Sequence, residues 1–346
     1  MRDVREERGV GRGGGTGATG AGYLGAAAAW SASFLFIKVA VGVLSPGQVV
    51  VGRLVLGAAT LAVVMAVTGR PWPRGPRVWA ELAGMGAVLC VVPFLLFSWA
   101  ARDLPSGLSS IYNAATPVAT MLVALALLPE ERLTRAKTGA FLTAAAGVVL
   151  VAAPWSAAGD LGGGRALTAQ LACLGGTVCY GLGFVCTRRF LRRTPYDAVT
   201  VTAGQIGAGA LLSLVLAPFA AWGPVRLTPA AGAAMLALGA VSTGVAYIWY
   251  ARVIDAWGAT LASTVTYLTP VGGVVLGVLV LREELALREV AGGVVVVLAV
   301  LVGQGRLRMP GRPRSTRPED TGHVSGGIPD GAGQEGEERQ RPVRRR

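Results

Sequence analysis

Two short polar stretches inside apolar segments hold several of the side chains of this sequence that could bind a small molecule. They are residues 109–113 and 263–267, and a proline follows each of them, Pro117 or Pro270. Proline removes a backbone hydrogen bond and kinks a helix, so polar groups just before it can face a cavity. Alternatively, these polar groups form hydrogen bonds between packed helices. The predicted binding residues are Tyr112, Asn113, Thr266 and Tyr267, with Pro117 and Pro270 as hinges, and the spacing of Ser109, Tyr112, Asn113 and Thr116 predicts a shared helix face.

Five further side chains lie well inside apolar segments. Lys38 and Arg53 are cations about five residues from one end of their segments. They could form a cationic ring that attracts a carboxylate or phosphate, or they could extend to the interface with water. Trp30 and Tyr180 offer an apolar face with a polar tip, suited to an organic molecule, and core packing is the alternative. Gln205 is interpreted in the same two ways.

The sequence lacks the patterns of enzymes and metal proteins. Its four cysteines have no metal-type spacing, and its one histidine, His323, lies in a polar tail. There is no H-E-x-x-H, no G-x-S-x-G and no aspartate pair. We therefore predict no enzyme activity, no metal and no cofactor. Glu283 and its neighbour Glu284 lie at a helix end, where salt bridges with Arg282 and Arg288 are expected.

The composition predicts a membrane protein. Apolar residues make up 53% of the 346 and charged residues 15%, whereas soluble domains carry about 25% charge. The net charge of +13 comes without a basic stripe interleaved with aromatic residues, so nucleic-acid binding is not expected. A membrane-spanning helix needs about 20 apolar residues. Ten such segments are predicted: 23–43, 48–69, 78–100, 105–128, 137–154, 167–187, 198–220, 230–251, 258–281 and 287–304.

The distribution of basic residues predicts the orientation. With a cytoplasmic N-terminus, eleven Lys or Arg residues fall in cytoplasmic loops and five in outer loops, as the positive-inside rule requires. Both termini are then cytoplasmic, in a bacterial inner (plasma) membrane. The tails, 1–22 and 305–346, are basic and polar, so we predict disordered segments close to anionic lipids.

An internal repeat divides the apolar region. A shift of 150 residues places 30–38 over 180–188, and a shift of 153 places 116–118 over 269–271. The predicted repeats are 23–154 and 167–304, joined by a loop at 155–166. Each would contain five spans, an odd number, so the second repeat must be inverted relative to the first. Inverted repeats are typical of secondary transporters, which bind substrate between the halves near the bilayer midplane.

These features resemble the EamA-type drug/metabolite transporters. The first span has the pattern W-x-x-x-F-x-x-x-K at Trp30, Phe34 and Lys38, and T-P-V followed by L-x-E-E occurs in both halves. The resemblance implies an all-α fold of ten transmembrane helices in two inverted five-helix repeats. It also implies a permease that moves a small polar or amphipathic metabolite by alternating access, here outward. A membrane scaffold or sensor that transports nothing is the alternative, and an intramembrane enzyme is disfavoured by the missing motifs.

Overall fold

The structure is a computed structural model that describes residues 15–128, 132–153, 163–262 and 264–303. In these ranges all regular secondary structure is helical. The helices are α1 (Gly15–Val41), α2 (Pro46–Thr68), α3 (Pro76–Gly86), α4 (Val92–Ala100), α5 (Ser106–Asn113), α6 (Thr116–Leu127), α7 (Arg135–Ala152), α8 (Gly163–Arg193), α9 (Ala198–Ala220), α10 (Pro229–Leu236), α11 (Ala246–Ala262), α12 (Val265–Leu281) and α13 (Leu287–Gly303). Two π-helical segments, Ala87–Val91 and Ala237–Val245, join α3 to α4 and α10 to α11.

Seven helical segments of the described chain are long and apolar enough to cross a membrane. The predicted spans 137–154 and 258–281 correspond to shorter apolar helices, Lys137–Ala152 and Val265–Leu281. The count of ten crossings stays a prediction. Several boundaries differ from those predicted; α8, for example, spans Gly163–Arg193 instead of 167–187. The first helix begins at Gly15, inside the predicted tail, and α11 continues to Ala262 through the predicted loop at 252–257, where no proline or glycine interrupts it.

Local sequence signals begin and end α2. The Ser45 hydroxyl accepts a hydrogen bond from the Gln48 backbone N–H, and the Gln48 side chain accepts one from the Ser45 N–H. This reciprocal capping box satisfies amide donors that have no partner within the helix. At the other end Gly69 adopts a left-handed conformation with φ of 65°, which only glycine adopts without strain.

The two predicted hinge prolines have different surroundings. Pro117 lies in the first turn of α6, and a turn at Ala114 and Ala115 separates α5 from α6. Pro117 has no N–H to donate to the Asn113 carbonyl, and its ring crowds that carbonyl, which is where the helix is interrupted. It also interrupts the face predicted to carry Ser109, Tyr112, Asn113 and Thr116. Pro270 lies inside the continuous helix α12.

Hydrogen bonds tie α2 to α9 at both of their ends. Where α2 begins, Gln48 Nε2 donates to the Gly223 carbonyl at 2.8 Å. Where α2 ends, Arg70 forms an ion pair with Asp197, the residue that caps the start of α9. The two helices are therefore antiparallel. We call the end of the bundle where α1 ends and α2 begins the upper end, and the opposite end the lower end.

Other close helix contacts occur in matched pairs. Helix α7 contacts α13. Helix α1 contacts α12 as α8 contacts α6, and α1 contacts α11 as α8 contacts α4. Small residues allow the closest approaches. A Cβ atom on Gly181 of α8 would lie 2.8 Å from the Thr120 backbone nitrogen in α6, and one on Gly273 of α12 would lie 2.5 Å from the Ser110 side chain.

Glu283, in the turn between α12 and α13, caps α5 from a distant part of the chain. Its carboxylate accepts hydrogen bonds from the Ser106 N–H at 2.6 Å, the Gly107 N–H at 3.0 Å and the Ser106 hydroxyl at 2.9 Å. The predicted salt bridges with Arg282 and Arg288 are wrong for this residue. The unpaired amides at a helix start attract a carboxylate more strongly than exposed arginines do.

Candidate functional site

Two groups of three aromatic rings lie where helices from different parts of the chain meet. In the first triad, the Trp30 ring from α1 lies 5.7 Å from Tyr247 and 5.1 Å from Tyr250, both in α11, measured between ring centroids. The Trp30 indole N–H donates to the Ser242 carbonyl at 3.2 Å. This bond satisfies the polar tip, and the ring is left half-buried.

The second triad has the same construction. The Tyr180 ring from α8 lies 6.5 Å from Phe94 and 5.9 Å from Phe97, both in α4. The Tyr180–Phe94 pair has an edge-to-face angle of 66°, and so does the Trp30–Tyr247 pair. Edge-to-face rings stabilise one another by about 0.5–1.5 kcal/mol beyond their burial.

The triads correspond to each other through the internal repeat. A shift of 150 residues relates Trp30 to Tyr180, and a shift of 153 relates Phe94 to Tyr247 and Phe97 to Tyr250. Each aromatic pair directly follows a π-helical segment. π-helical turns are uncommon and often occur at functional sites. The first triad takes one ring from the first repeat and two from the second, and the second triad takes the reverse.

Arg53 lies between side chains of both repeats. It is only 8% exposed, its Nε donates to the Thr243 hydroxyl at 2.8 Å, and its guanidinium carbon lies 3.6 Å from the centroid of the Phe94 ring. Phe94 belongs to the second triad, and Thr243 lies in the π-helical segment that precedes the first. The guanidinium therefore contacts one ring of the second triad and the segment that precedes the aromatic pair of the first.

In the part of the chain that the structure describes, the remaining surroundings of Arg53 carry no formal charge. Its electrostatic neighbours are the hydroxyls of Tyr180 and Tyr247 and the thiol of Cys90, which are neutral groups near pH 7. Within the described residues, Arg53 forms no ion pair, and Nε is its one nitrogen with a hydrogen-bond partner. Ala203 takes the position of Arg53 in the second repeat and is buried in the apolar cluster that contains Phe94.

Lys38, the other predicted cation, is bound elsewhere. Its ammonium group donates to the carbonyls of Ala101 at 2.7 Å and Leu104 at 2.9 Å, directly after the end of α4. A cation stabilises the carbonyl groups at a helix end. Lys38 and Arg53 therefore share no hydrogen-bond partner, and the structure does not assemble them into one ring.

Gln205 is 2% exposed and packs among three helices. Its Nε2 donates to the Thr187 hydroxyl at 2.8 Å and contacts the Met85 sulfur at 3.5 Å. These contacts join α9, α8 and α3, and they contain no member of either triad.

The four residues predicted from the polar stretches do not form one group. Tyr112 is 1% exposed and packs with Phe97 and Cys173, and its hydroxyl has no hydrogen-bond partner in the described structure. Asn113 is half-buried and accepts a 3.4 Å hydrogen bond from Thr116. Thr266 is exposed, and Tyr267 packs against a separate apolar cluster. Only Tyr112 therefore adjoins the second triad.

A cleft of about 790 Å³ opens at the upper end of the bundle. It is lined by the end of α1, the start of α2 and the residues Leu95, Trp99 and Arg102. Leu95 also packs against the apolar cluster that contains Phe94, although no member of either triad lines the cleft. Over the described residues, no three His, Cys, Asp or Glu side chains are grouped to hold a metal ion.

Sequence reasoning found Trp30, Tyr180 and Arg53 but missed their partners. The 153-residue shift would have identified them, because it also relates the aromatic positions of the third span to those of the eighth. The side chains missed were Phe94, Phe97, Tyr247 and Tyr250, with Thr243.

Comparisons with known proteins confirm the resemblance stated from the residues. Residues 19–153 and 167–302 each match the EamA-like transporter family. A "Probable terminal-alkyne amino-acid exporter" of Streptantibioticus cattleyicolor is 24% identical over 273 residues, 79% of this chain and 89% of that protein. An uncharacterized transporter of Archaeoglobus fulgidus is 25% identical over 279 residues, 79% and 94% of the two chains. One protein crystal structure shares the fold, with a TM-score of 0.59 and 22% identity over 84% of this chain and 98% of that one.

Proposed function

Because this chain belongs to the EamA-like transporter family, we propose that it is a secondary transporter that exports a small polar or amphipathic metabolite by alternating access. The protein is a multi-pass membrane protein, and we place it in a bacterial plasma membrane with both termini in the cytoplasm. The outward direction is supported by the related protein that is named as an exporter.

Matched contacts support two inverted five-span repeats. Helix α1 packs on α11 and α12 as α8 packs on α4 and α6. Helix α1 belongs to the first repeat and packs on two helices of the second, whereas α8 belongs to the second repeat and packs on two helices of the first. Because α2 and its repeat mate α9 are antiparallel, exchange of the two repeats would turn the bundle upside down. Two near-equivalent arrangements of this kind are the basis of alternating access.

The two triads are the observation that carries the proposal. Each is built across the two repeats, so a movement of one repeat against the other changes the ring contacts in both triads. Aromatic faces with a few polar groups are typical walls of a small-molecule site. We therefore propose that substrate lies between the triads, beside Arg53.

Counterflow in liposomes tests this function. Purified full-length protein is reconstituted into liposomes, which are loaded with unlabelled compounds from a metabolite panel. The protein should accelerate uptake of at least one labelled compound into these liposomes. Trp30→Ala and Tyr180→Ala should lower that rate at least tenfold, because each removes a wall of the site. Trp72→Ala is the matched control: Trp72 is an exposed aromatic residue in the turn after α2.

Two results would contradict the proposal. If no compound exchanges through folded, reconstituted protein, the scaffold or sensor alternative replaces transport. If Trp30→Ala and Tyr180→Ala transport as well as Trp72→Ala, the substrate path lies away from the triads.

A further inference from the structure

Arg53 is a buried charge that forms no ion pair with any residue that the structure describes. It lies seven residues into α2, about 10 Å along the axis from the helix start. Its head group contacts Thr243 and the Phe94 ring and does not extend to the bundle end. A charge buried without a partner is strongly disfavoured, and a cation–π contact offsets only part of that cost. The unliganded site therefore favours the entry of an anion.

The guanidinium group retains the donors that such an anion needs. Thr243 occupies Nε, and the two terminal amino groups have no partner in the described residues. Together they carry four N–H donors in a plane. A carboxylate matches two of these donors at once, which makes the pair stronger and more directional than a single hydrogen bond.

The single positive charge of Arg53 indicates the net charge of the ligand. Ala203 stands where the repeat would place a second arginine, and among the described residues no carboxylate is an electrostatic neighbour of Arg53. One unit of negative charge therefore neutralises the site. The ammonium group of an amino acid would lie near the guanidinium with no acidic partner, and a phosphate monoester would bring a charge of about −1.5 to −2.

The aromatic residues around Arg53 indicate the chemistry of the part of the ligand that lies beyond its anionic group. The Phe94 ring of the second triad lies against the Arg53 guanidinium, and the hydroxyls of Tyr180 and Tyr247, one from each triad, are its electrostatic neighbours, so a carboxylate on Arg53 would have aromatic residues of both triads nearby. Building on the transport function proposed above, we propose that the substrate is a monoanionic organic carboxylate with an aromatic or apolar body. Its carboxylate binds the terminal amino groups of Arg53, and its body lies between the triads.

Four compounds that share a phenyl ring separate these possibilities: phenylpyruvate, phenylalanine, phenethylamine and phenyl phosphate. They present a monocarboxylate, a zwitterion, a cation and a phosphate ester. Binding is measured from the thermal unfolding of full-length purified protein at increasing ligand concentration, because a ligand of the folded state stabilises it. Phenylpyruvate should stabilise the wild-type protein at the lowest concentration, at least tenfold below each of the other three.

Variants of Arg53 test the assignment of the carboxylate. Arg53→Gln should raise the apparent Kd for phenylpyruvate ten- to a hundredfold. Arg53→Lys should raise it less, because it keeps the charge but loses the planar fork. The control Arg226→Gln removes an exposed arginine and should change nothing. Without ligand, Arg53→Gln should unfold at or above the wild-type temperature, since it removes an uncompensated charge; a purely structural arginine would give a lower temperature.

The proposal is overturned if phenylalanine, phenethylamine or phenyl phosphate binds wild-type protein as tightly as phenylpyruvate. It is also overturned if Arg53→Gln binds phenylpyruvate with wild-type affinity. Either result leaves the transport function intact when counterflow of another metabolite is observed. Conversely, Arg53-dependent binding of phenylpyruvate with no counterflow of any compound would contradict transport and leave the carboxylate site standing.

Discussion

The cap that Glu283 places on α5 can be tested by a single change of charge. The residue before α5 is Pro105, whose side chain offers no cap. The first amides of the helix therefore depend on a carboxylate 177 residues away. Replacing Glu283 with glutamine keeps the shape of the side chain, removes the charge and turns one acceptor oxygen into a donor that faces an N–H group.

The expected cost follows from these contacts. Glu283 accepts three hydrogen bonds, and glutamine can accept bonds at only one oxygen. Loss of one hydrogen bond to a charged group costs about 1.5–3 kcal/mol. Loss of the attraction between the carboxylate and the helix start adds about 0.3–1 kcal/mol. Since Glu283 is half-exposed and solvent screens part of this energy, we expect a destabilisation of about 2–3 kcal/mol.

The assay is the free energy of unfolding of purified protein, measured by titration with SDS in mixed micelles. Glu284→Gln is the matched control, because Glu284 is the exposed neighbour and surface substitutions usually change stability by less than about 0.5 kcal/mol. If the two variants unfold with equal free energies, the carboxylate does not hold α5, and the assignment of Glu283 as its cap is refuted.

Tyr112→Phe should stabilise the unliganded protein by about 1–3 kcal/mol, because it removes a buried hydroxyl without a partner; lower stability would mean that the hydroxyl is bonded. Gly181→Leu should destabilise by about 1–3 kcal/mol, because α8 contacts the α6 backbone there. Gly207→Ala, which meets no atom within 4 Å, should not, and equal unfolding free energies would count against this packing. In a cysteine-free background, Arg226→Cys should react with an impermeant maleimide added to intact cells. Arg74→Cys should react only after the cells are permeabilised. The reverse pattern would exclude cytoplasmic termini.

The sequence by itself determined the class of protein, its family and the existence of two repeats. Apolar content depends only on local composition, and the repeat is visible as a one-dimensional shift. The same shift identified Trp30 and Tyr180 as equivalent positions before any contact was known. The breaks at Pro117 and at the turn before α2 follow from local backbone chemistry and were also predictable.

Only the tertiary structure decided which side chains meet. Arg53 and Lys38 have the same charge and similar depth in the sequence. One, however, contacts Thr243 and the Phe94 ring and forms no ion pair within the described residues, and the other binds the carbonyls at the end of α4. Helices that are apolar on all sides carry no stripe to indicate which face packs on which neighbour. Contacts such as those of Arg53 with Thr243, and of Glu283 with the start of α5, join residues more than 170 positions apart. They are fixed by how the helices pack, which no local pattern records.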